Sequence, residues 1–191
     1  MTDKPFITIT TLGCAKNLVD SEYLSKQLSL NGFQVSFENH ERATDHTIAI
    51  INTCGFINDA KQESIETILE YVQRKLEGRV KQVYVMGCLS QRYKEELKKE
   101  IPEVDGFYGV YEQEQFLNDL HAIYYKHYSH QRNLTSPGHY AYLKIAEGCN
   151  RKCAFCSIPL IKGNYHSKPL EELKREAVFL ANQGVKELNL I

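Results

Sequence analysis

Three apolar, strand-like runs in the first half of the chain each end beside a glycine and a cysteine, just before a helical pattern. The stretches are TTLGCAKN, IINTCGF and VMGCLSQR, which place Cys14, Cys54 and Cys88 after predicted strands. Strands that alternate with amphipathic helices predict an α/β fold with a parallel sheet. Because the carboxyl ends of parallel strands share one edge of the sheet, we expect the three thiols to meet there. The helix that follows each cysteine is expected to lower the pKa of its thiol.

Hydrophobic periodicity predicts where the elements of this sheet begin and end. We expect strands over residues 6–13, 33–37, 47–53 and 80–87, and helices over residues 18–30, 58–76, 91–100 and 112–124. Residues 101–109 are predicted to form a loop with at most a short strand. After residue 139 the pattern restarts with a strand over 139–147, a helix over 169–182 and a final strand that begins at 186.

These patterns divide the chain into three parts. Residues 1–123 are predicted to form the first domain, and residues 124–138, which fit no period and end in Ser-Pro-Gly, a solvated linker. Residues 139–191 begin a second domain. Two strands and one helix are too few to close a barrel or cover a sheet, so we expect the chain to be a fragment of a longer protein.

Composition narrows the class of protein. The 191 residues contain no apolar run as long as a bilayer span and no signal-peptide pattern, which predicts a cytoplasmic protein without membrane association. Six cysteines in a reducing compartment indicate metal ligands or catalytic groups more than disulfides. Residues 121–191 carry 10 basic against 5 acidic side chains, whereas residues 1–120 carry 13 against 19. The basic excess suits an anionic cofactor or partner, or an ordinary solvated face, and forms no nucleic-acid-binding stripe.

A second group of cysteines lies in the stretch EGCNRKCAFCSIP, which contains Cys149, Cys153 and Cys156. A disulfide would leave one of the three thiols over, and a closed zinc site needs four ligands. Three thiolates on a four-iron cluster would leave one iron open to another molecule. From the residues alone, an iron–sulfur site, a zinc site and a redox Cys-x2-Cys pair all stay open.

Several motifs together resemble one enzyme family. CNRKCAFC resembles the C-x3-C-x-aromatic-C signature of radical S-adenosylmethionine enzymes, and TLGCAKNLVDSE, INTCGFINDAKQESI and GCLSQRY resemble the N-terminal domain of methylthiotransferases. The combination is most similar to the RimO type, which modifies an aspartate of small-subunit ribosomal protein twelve. The tRNA-modifying MiaB type would be expected to have G-C-Q-M-N where this chain has Gly13-Cys14-Ala15-Lys16-Asn17.

The resemblance implies a flavodoxin-like or Rossmann-like methylthiotransferase domain followed by the start of a radical S-adenosylmethionine partial (β/α) barrel. It implies two [4Fe–4S] clusters, one held by Cys149, Cys153 and Cys156 and the other by Cys14, Cys54 and Cys88. S-adenosylmethionine would bind the open iron of the first cluster with its adenine near Phe155, and the second cluster would hold the sulfur to be donated. A radical formed from S-adenosylmethionine would take a hydrogen from the β-carbon of the target aspartate. No catalytic residue beyond the cluster ligands is implied.

Further expectations follow from the same resemblance. The enzyme would take electrons from a donor such as flavodoxin or ferredoxin, and this fragment alone would be inactive and would not bind nucleic acid directly. Arginines are expected near Lys162 and His166; the lysine keeps the charge but not the bidentate hydrogen bonding of a guanidinium. The alternatives are a tRNA methylthiotransferase and, from another class, an iron–sulfur or zinc module that binds metal or senses redox state.

Overall fold

The computed structural model of the protein describes residues 4–37 and 46–191. Five parallel strands form the sheet of the first part, in the order β2-β1-β3-β4-β5. The strands are β1 (Phe6–Thr11), β2 (Gln34–Phe37), β3 (Ile48–Thr53), β4 (Gln82–Gly87) and β5 (Gly106–Tyr108). The helices between and after them are α1 (Ala15–Leu30), α2 (Asn58–Leu76), α3 (Cys88–Glu100) and α4 (Gln113–Asp119). This strand order is that of flavodoxin-like doubly wound sheets, so the predicted fold class is confirmed for the first part.

The core lies on both faces of the sheet, and the central strand β3 shows why. Ile48 and Ile50 pack on one face with a cluster that includes Leu24 of α1, whereas Ala49 and Ile51 pack on the other. Side chains alternate between the faces of a strand, so a strand covered on both sides is apolar throughout. This accounts for the continuous apolar run in the sequence and holds the carboxyl ends of the strands in a rigid frame.

The second part is small and contains two pairs of strands. Its elements are β6 (Tyr140–Leu143), β7 (Ala146–Glu147), α5 (Ile158–Lys162), β8 (His166–Ser167), α6 (Leu170–Asn182) and β9 (Glu187–Leu190). Strands β6 and β9 pair in parallel, β7 and β8 pair antiparallel, and Leu180 of α6 packs with residues of β6. A parallel β-α-β unit is the repeating unit of (β/α) barrels.

The segment predicted as a solvated linker contains a buried arginine. Arg132 is 2% exposed, forms an ion pair with Glu22 of α1, and has its Nε 3.2 Å from Glu176 Oε1 of α6. Its guanidinium also donates to the carbonyl of Tyr142. The expectation of a solvated segment is therefore wrong at Arg132, because two buried carboxylates require a cation between them. The proposed domain boundaries themselves stay a prediction.

Three predicted helix bounds are also wrong. Helices α1 and α3 begin at Ala15 and Cys88 and not at 18 and 91, and α4 ends at Asp119 and not at 124. The backbone leaves the helix at His121, which has a positive φ of 54°. The side-chain amide of Asn31 then hydrogen-bonds to both backbone groups of Ile123, at 2.8 Å each. Within the described residues, no helix is both long and apolar enough to cross a bilayer.

Candidate metal centres

The structure brings the three dispersed cysteines to one cavity. Cys14 follows β1, Cys54 follows β3 directly, and Cys88 is the first residue of α3 after β4. These three strands are neighbours in the sheet, and all three cysteines line a cavity of about 560 Å³ beyond their carboxyl ends. The prediction that the thiols share one edge of the sheet is confirmed. The cavity lies beside the point where the strand order reverses, between β1 and β3, where open α/β sheets bind ligands.

A buried asparagine in the first turn of α1 connects the ends of the three strands. Asn17 is buried, and its Nδ2 donates to the carbonyls of Leu12 and Thr53, at 2.9 and 3.0 Å. Its Oδ1 accepts from the thiol of Cys88, at an Sγ–O distance of 3.7 Å. Sequence reasoning did not single out Asn17. Because α1 was predicted to begin at 18, Asn17 lay outside the predicted helix and no periodic signal marked it.

Side chains also fix the backbone at Cys54, in the middle of the site. The Cys54 amide donates to Ser64 Oγ at 3.1 Å, and that hydroxyl donates back to the Cys54 carbonyl at 3.0 Å. Thr53 Oγ1 donates to the Met86 carbonyl of the neighbouring strand at 2.6 Å. These bonds use buried side chains of α2 and β3, so the position of Cys54 is set by the protein alone.

Two glycines leave space next to the cysteines that other residues would fill. A β-carbon on Gly13, which has a φ of +89°, would lie 2.5 Å from the Cβ of Cys54 and 2.9 Å from its Sγ. A β-carbon on Gly87, with a φ of +97°, would lie 2.4 Å from the side chain of Asn52. Glycine is therefore required at both positions for the backbone conformation, and at Gly13 also for the close approach of Cys54.

The donor set suits a cluster more than a single ion. Among the residues that the structure describes, no three His, Cys, Asp or Glu side chains are grouped so that they could hold one metal ion. A single ion needs its ligands to converge on one point, whereas each cysteine that ligates a cubane binds a different iron. Three thiols that line one cavity match the three-cysteine ligand set of an open iron–sulfur cluster, whereas a closed structural zinc site would need a fourth ligand.

Burial, and not the adjacent helix, dominates the pKa of one thiol. Removal from water raises the pKa of Cys88 to about 11, against the partial lowering by the positive charge of Lys162. The expectation of a lowered pKa is therefore wrong for Cys88, which is 8% exposed. The cause is that desolvation disfavours the thiolate more than the helix end and the lysine favour it.

The cavity is nevertheless a positive environment. Helices α1 and α3 start at the cavity, with Cys14 as the N-cap of α1 and Cys88 as the first residue of α3, and neither has an acidic residue in its first turn. Lys16 and Lys162 also line the cavity, which gives two cations against the one carboxylate of Glu147. Such surroundings stabilise a ligand that carries negative charge.

The second cysteine group lies in an exposed loop between β7 and α5. Cys153 is exposed, and Cys149 and Cys156 are partly exposed. The Cys149 amide donates to the Gly163 carbonyl at 3.0 Å, and the Cys156 amide donates to the Cys153 carbonyl at 3.1 Å. The thiols therefore stand on one short loop near the surface, as their spacing predicts. Their role as metal ligands stays a prediction.

Phe155, expected next to an adenine, is 91% exposed and does not belong to the core. An aromatic side chain that is nearly bare to solvent is available to stack on a flat ligand. The exposure is consistent with that role without testing it.

The two cysteine groups lie on either side of contacts between the two parts of the chain. The cavity at the sheet edge is also lined by Glu147, Gly148 and residues of α5, which flank the cysteine loop. Arg92 of α3 donates to Ser157 Oγ at 3.0 Å, next to Cys156. The hydroxyl of Tyr111 donates to the Lys162 carbonyl at 2.7 Å. The loop that bears one group therefore forms a wall of the cavity that bears the other.

This fold and site define a class: a doubly wound α/β protein with a cysteine triad at the switch point of its sheet. The chain belongs to the Uncharacterized protein family UPF0004, whose profile matches residues 6–109. The matched range covers the five-stranded sheet and all three cysteines at its edge.

Curated relatives extend the similarity over nearly the whole chain. The chain is 53% identical over 185 residues to the ribosomal protein uS12 methylthiotransferase RimO of Phocaeicola vulgatus, and 52% identical over 185 residues to that of Bacteroides thetaiotaomicron. It is 50% identical over 186 residues to the protein of the same name from Porphyromonas gingivalis. Each alignment covers 97% of this chain, and the chain spans 42% of the length of each relative.

Proposed function

We propose that the full-length protein is a radical S-adenosylmethionine methylthiotransferase that modifies the β-carbon of an aspartate in small-subunit ribosomal protein twelve. The observation that carries the proposal is the placement of two cysteine triads on either side of one contact region, one on the sheet edge and one on the adjacent loop. The relatives, which are named as uS12 methylthiotransferases, support the ribosomal target and do not favour the tRNA alternative.

The chain offers ligands for two clusters. Cys14, Cys54 and Cys88 would hold one [4Fe–4S] cluster in the cavity, and Cys149, Cys153 and Cys156 would hold the other at the loop. With S-adenosylmethionine bound, these groups would supply the radical and sulfur chemistry that replaces a C–H bond of the target with a C–S bond. Phe155 would stack on the adenine of S-adenosylmethionine.

The residues of this chain contribute position, charge and exclusion of water. Hydrogen bonds from the side chains of Asn17 and Ser64 position the backbone around the sheet triad, which is Cys14, Cys54 and Cys88. The ammonium group of Lys162, whose positive charge counters part of the rise in the pKa of Cys88, would offset part of the charge of a cluster with three thiolate ligands. The apolar lining of Phe56, Ile57, Ile158 and Ile161 would exclude water from a reactive intermediate.

The proposed organisation keeps the three parts of the chain. Residues 1–123 would be the methylthiotransferase domain, residues 124–138 the connection, and residues 139–191 the start of the radical S-adenosylmethionine barrel. The chain spans 42% of the length of its curated relatives, and we propose that it would not turn over alone. A cytoplasmic flavodoxin or ferredoxin would supply the electrons.

The test uses the full-length protein after anaerobic reconstitution with iron and sulfide. It is incubated with S-adenosylmethionine, a reductant and either ribosomal protein twelve or unmodified tRNA, and the products are analysed by mass spectrometry. We expect one methylthio group in place of one hydrogen on a single aspartate. Modification of isopentenyladenosine with an unchanged ribosomal protein would contradict the proposal, and stoichiometric zinc without iron would support a structural module instead.

A further inference from the structure

Lys16 is the second residue of α1, and its half-buried side chain lines the cavity that contains the three cysteines. Its ammonium donates to the carbonyl of Ala146 in β7 at 2.7 Å. The side chain therefore reaches from the sheet edge to the opposite wall of the cavity, between the two parts of the chain.

A lysine in this position opposes the local electrostatic preference of a helix. The first turn of a helix favours acidic side chains, and α2, α4 and α6 have Asp59, Glu114 and the pair Glu171 and Glu172 there. Helix α1, like α3 and α5, has no acid in its first turn, and it has Lys16 there. Departures from a local rule are expected at functional positions, where another interaction compensates for them.

The other cations near the cavity already have carboxylate partners. Lys162 lies 3.3 Å from Glu147 and 3.7 Å from Asp20, and Lys144 pairs with the same two acids. Two lysines and two carboxylates cancel in charge.

The positive charge of Lys16 is not part of this group of two lysines and two carboxylates. Among the described residues, no carboxylate lies within ion-pair distance of its ammonium, although its charge helps to lower the pKa of Glu147. Lys16 therefore has hydrogen-bonding capacity and charge that an anionic group entering the cavity can use.

We propose that Lys16 binds the carboxylate of the target aspartate and so determines the specificity of the site for an acidic side chain. This inference rests on the function proposed above. A lysine–carboxylate pair is a charge-assisted hydrogen bond, and the apolar lining of the cavity strengthens it by excluding water. A target peptide with asparagine in place of the aspartate keeps the shape of the side chain and loses its charge. Comparing the two peptides therefore tests the ion pair with Lys16.

The experiment measures binding without turnover. Fluorescence anisotropy gives the dissociation constant of a labelled ribosomal-protein peptide that contains the target aspartate, or asparagine in its place. The protein is the full-length, iron-loaded enzyme with no reductant present. The variants are Lys16→Met, Lys16→Arg and, as a matched control, Lys26→Met, since Lys26 lies on the same helix and does not line the cavity. Iron content is measured for each.

We expect the wild type and K26M to bind the aspartate peptide about 10- to 100-fold more tightly than the asparagine peptide. K16M should bind the two peptides with affinities within about threefold of each other, and K16R should restore most of the discrimination. Equal discrimination by wild type and K16M would overturn the inference. Loss of iron from K16M would also overturn it, because Lys16 would then serve the cluster.

The outcomes separate this inference from the function on which it rests. If the wild type binds neither peptide and modifies tRNA, both proposals fail. If the wild type binds and modifies the aspartate peptide while K16M still prefers aspartate over asparagine, only the role of Lys16 fails.

Discussion

Cys14, Cys54 and Cys88 lie far apart in the sequence and stand at the ends of three rigid strands, whereas Cys149, Cys153 and Cys156 lie together on one exposed loop. Hydrogen bonds from Asn17 and Ser64 fix the backbone of the sheet triad. The loop triad, Cys149, Cys153 and Cys156, has a few backbone hydrogen bonds, one of which runs from the Arg151 amide to the sulfur of Cys149 at 3.4 Å. Cys153 is exposed and the other two are partly exposed. A site that is held by the fold loses little conformational entropy when it binds a ligand, whereas a loop must be ordered by its ligand. Cysteines that are close in sequence are therefore not the ones whose positions the fold fixes more firmly.

The largest expected effect separates the two triads by metal content. In the full-length protein, changing either triad to alanine should lower iron from about eight to about four atoms per chain after anaerobic reconstitution. Iron and acid-labile sulfide assays measure the result, and the unchanged protein is the control. If one triple variant lost all iron, the two triads would not form separate sites.

The next effect tests the connection between the two regions. Replacing Arg132 with methionine leaves the buried Glu22 without its cation, whereas Glu176 keeps its ion pair with Lys168 at 2.6 Å. The buried charge at Glu22 should lower the free energy of unfolding by about 3–5 kcal/mol. Urea unfolding, followed by circular dichroism, measures the change. Arg79→Met is a matched control, because Arg79 pairs with Glu77 at the surface and should contribute less than about 1 kcal/mol. Equal effects of the two substitutions would mean that Arg132 does not stabilise the two regions together.

Arg132 also shows where sequence reasoning reached its limit. The strand–helix alternation predicted the sheet, the bounds of α2 and the meeting of three cysteines at one edge, because these follow from local periodicity and from parallel pairing. The partners of Arg132 are Glu22 and Glu176, on α1 and α6, and no local pattern links such distant residues. A polar, aperiodic segment is read as solvated unless its tertiary partners are known.

The same limit applies to the helices and to the site. Helix α4 ends earlier than predicted because the side chain of Asn31, the residue after α1, forms hydrogen bonds with the backbone of Ile123. The start of α1 was predicted too late because its N-cap residue is Cys14, whose side chain makes no capping hydrogen bond. The usual sequence signal for a helix start is therefore missing. Asn17 and Lys16 were overlooked for a related reason, since their importance depends on what lies across the cavity.

A third prediction compares the thiols of the two triads in the metal-free protein. With a pKa of about 11, Cys88 should be alkylated at pH 8 about 100-fold more slowly than an ordinary exposed thiol with a pKa of about 8.5, because the thiolate is the nucleophile. Its rate should rise about tenfold for each pH unit up to about pH 11. Exposed Cys153 in the loop serves as the reference thiol.

Alkylation with iodoacetamide, followed by peptide mass spectrometry, gives both rates in one sample. In urea the two cysteines should react at similar rates, which checks that the difference comes from the fold. Equal rates in the native protein would mean that the sheet triad is as open as the loop triad.

The smallest effect distinguishes a crowded glycine from an open one. Gly13 and Gly184 both have positive φ, of +89° and +92°, so alanine costs about 1–3 kcal/mol of backbone strain at either position. At Gly13 the new methyl group would also overlap Cys54, whereas nothing lies within 4 Å of a β-carbon at Gly184. Gly13→Ala should therefore destabilise the protein by about 1–3 kcal/mol more than Gly184→Ala.

The two alanine variants share the backbone strain, so their difference isolates the contact with Cys54. Urea unfolding of the metal-free protein gives the difference in stability, and reconstitution gives the iron content. Because Cys54 must move away from the added methyl group, Gly13→Ala should lose the iron of the sheet triad and keep that of the loop triad. Equal stability and full iron content in both variants would show that Cys54 can adjust, and that the sheet edge is less rigid than its hydrogen bonds indicate.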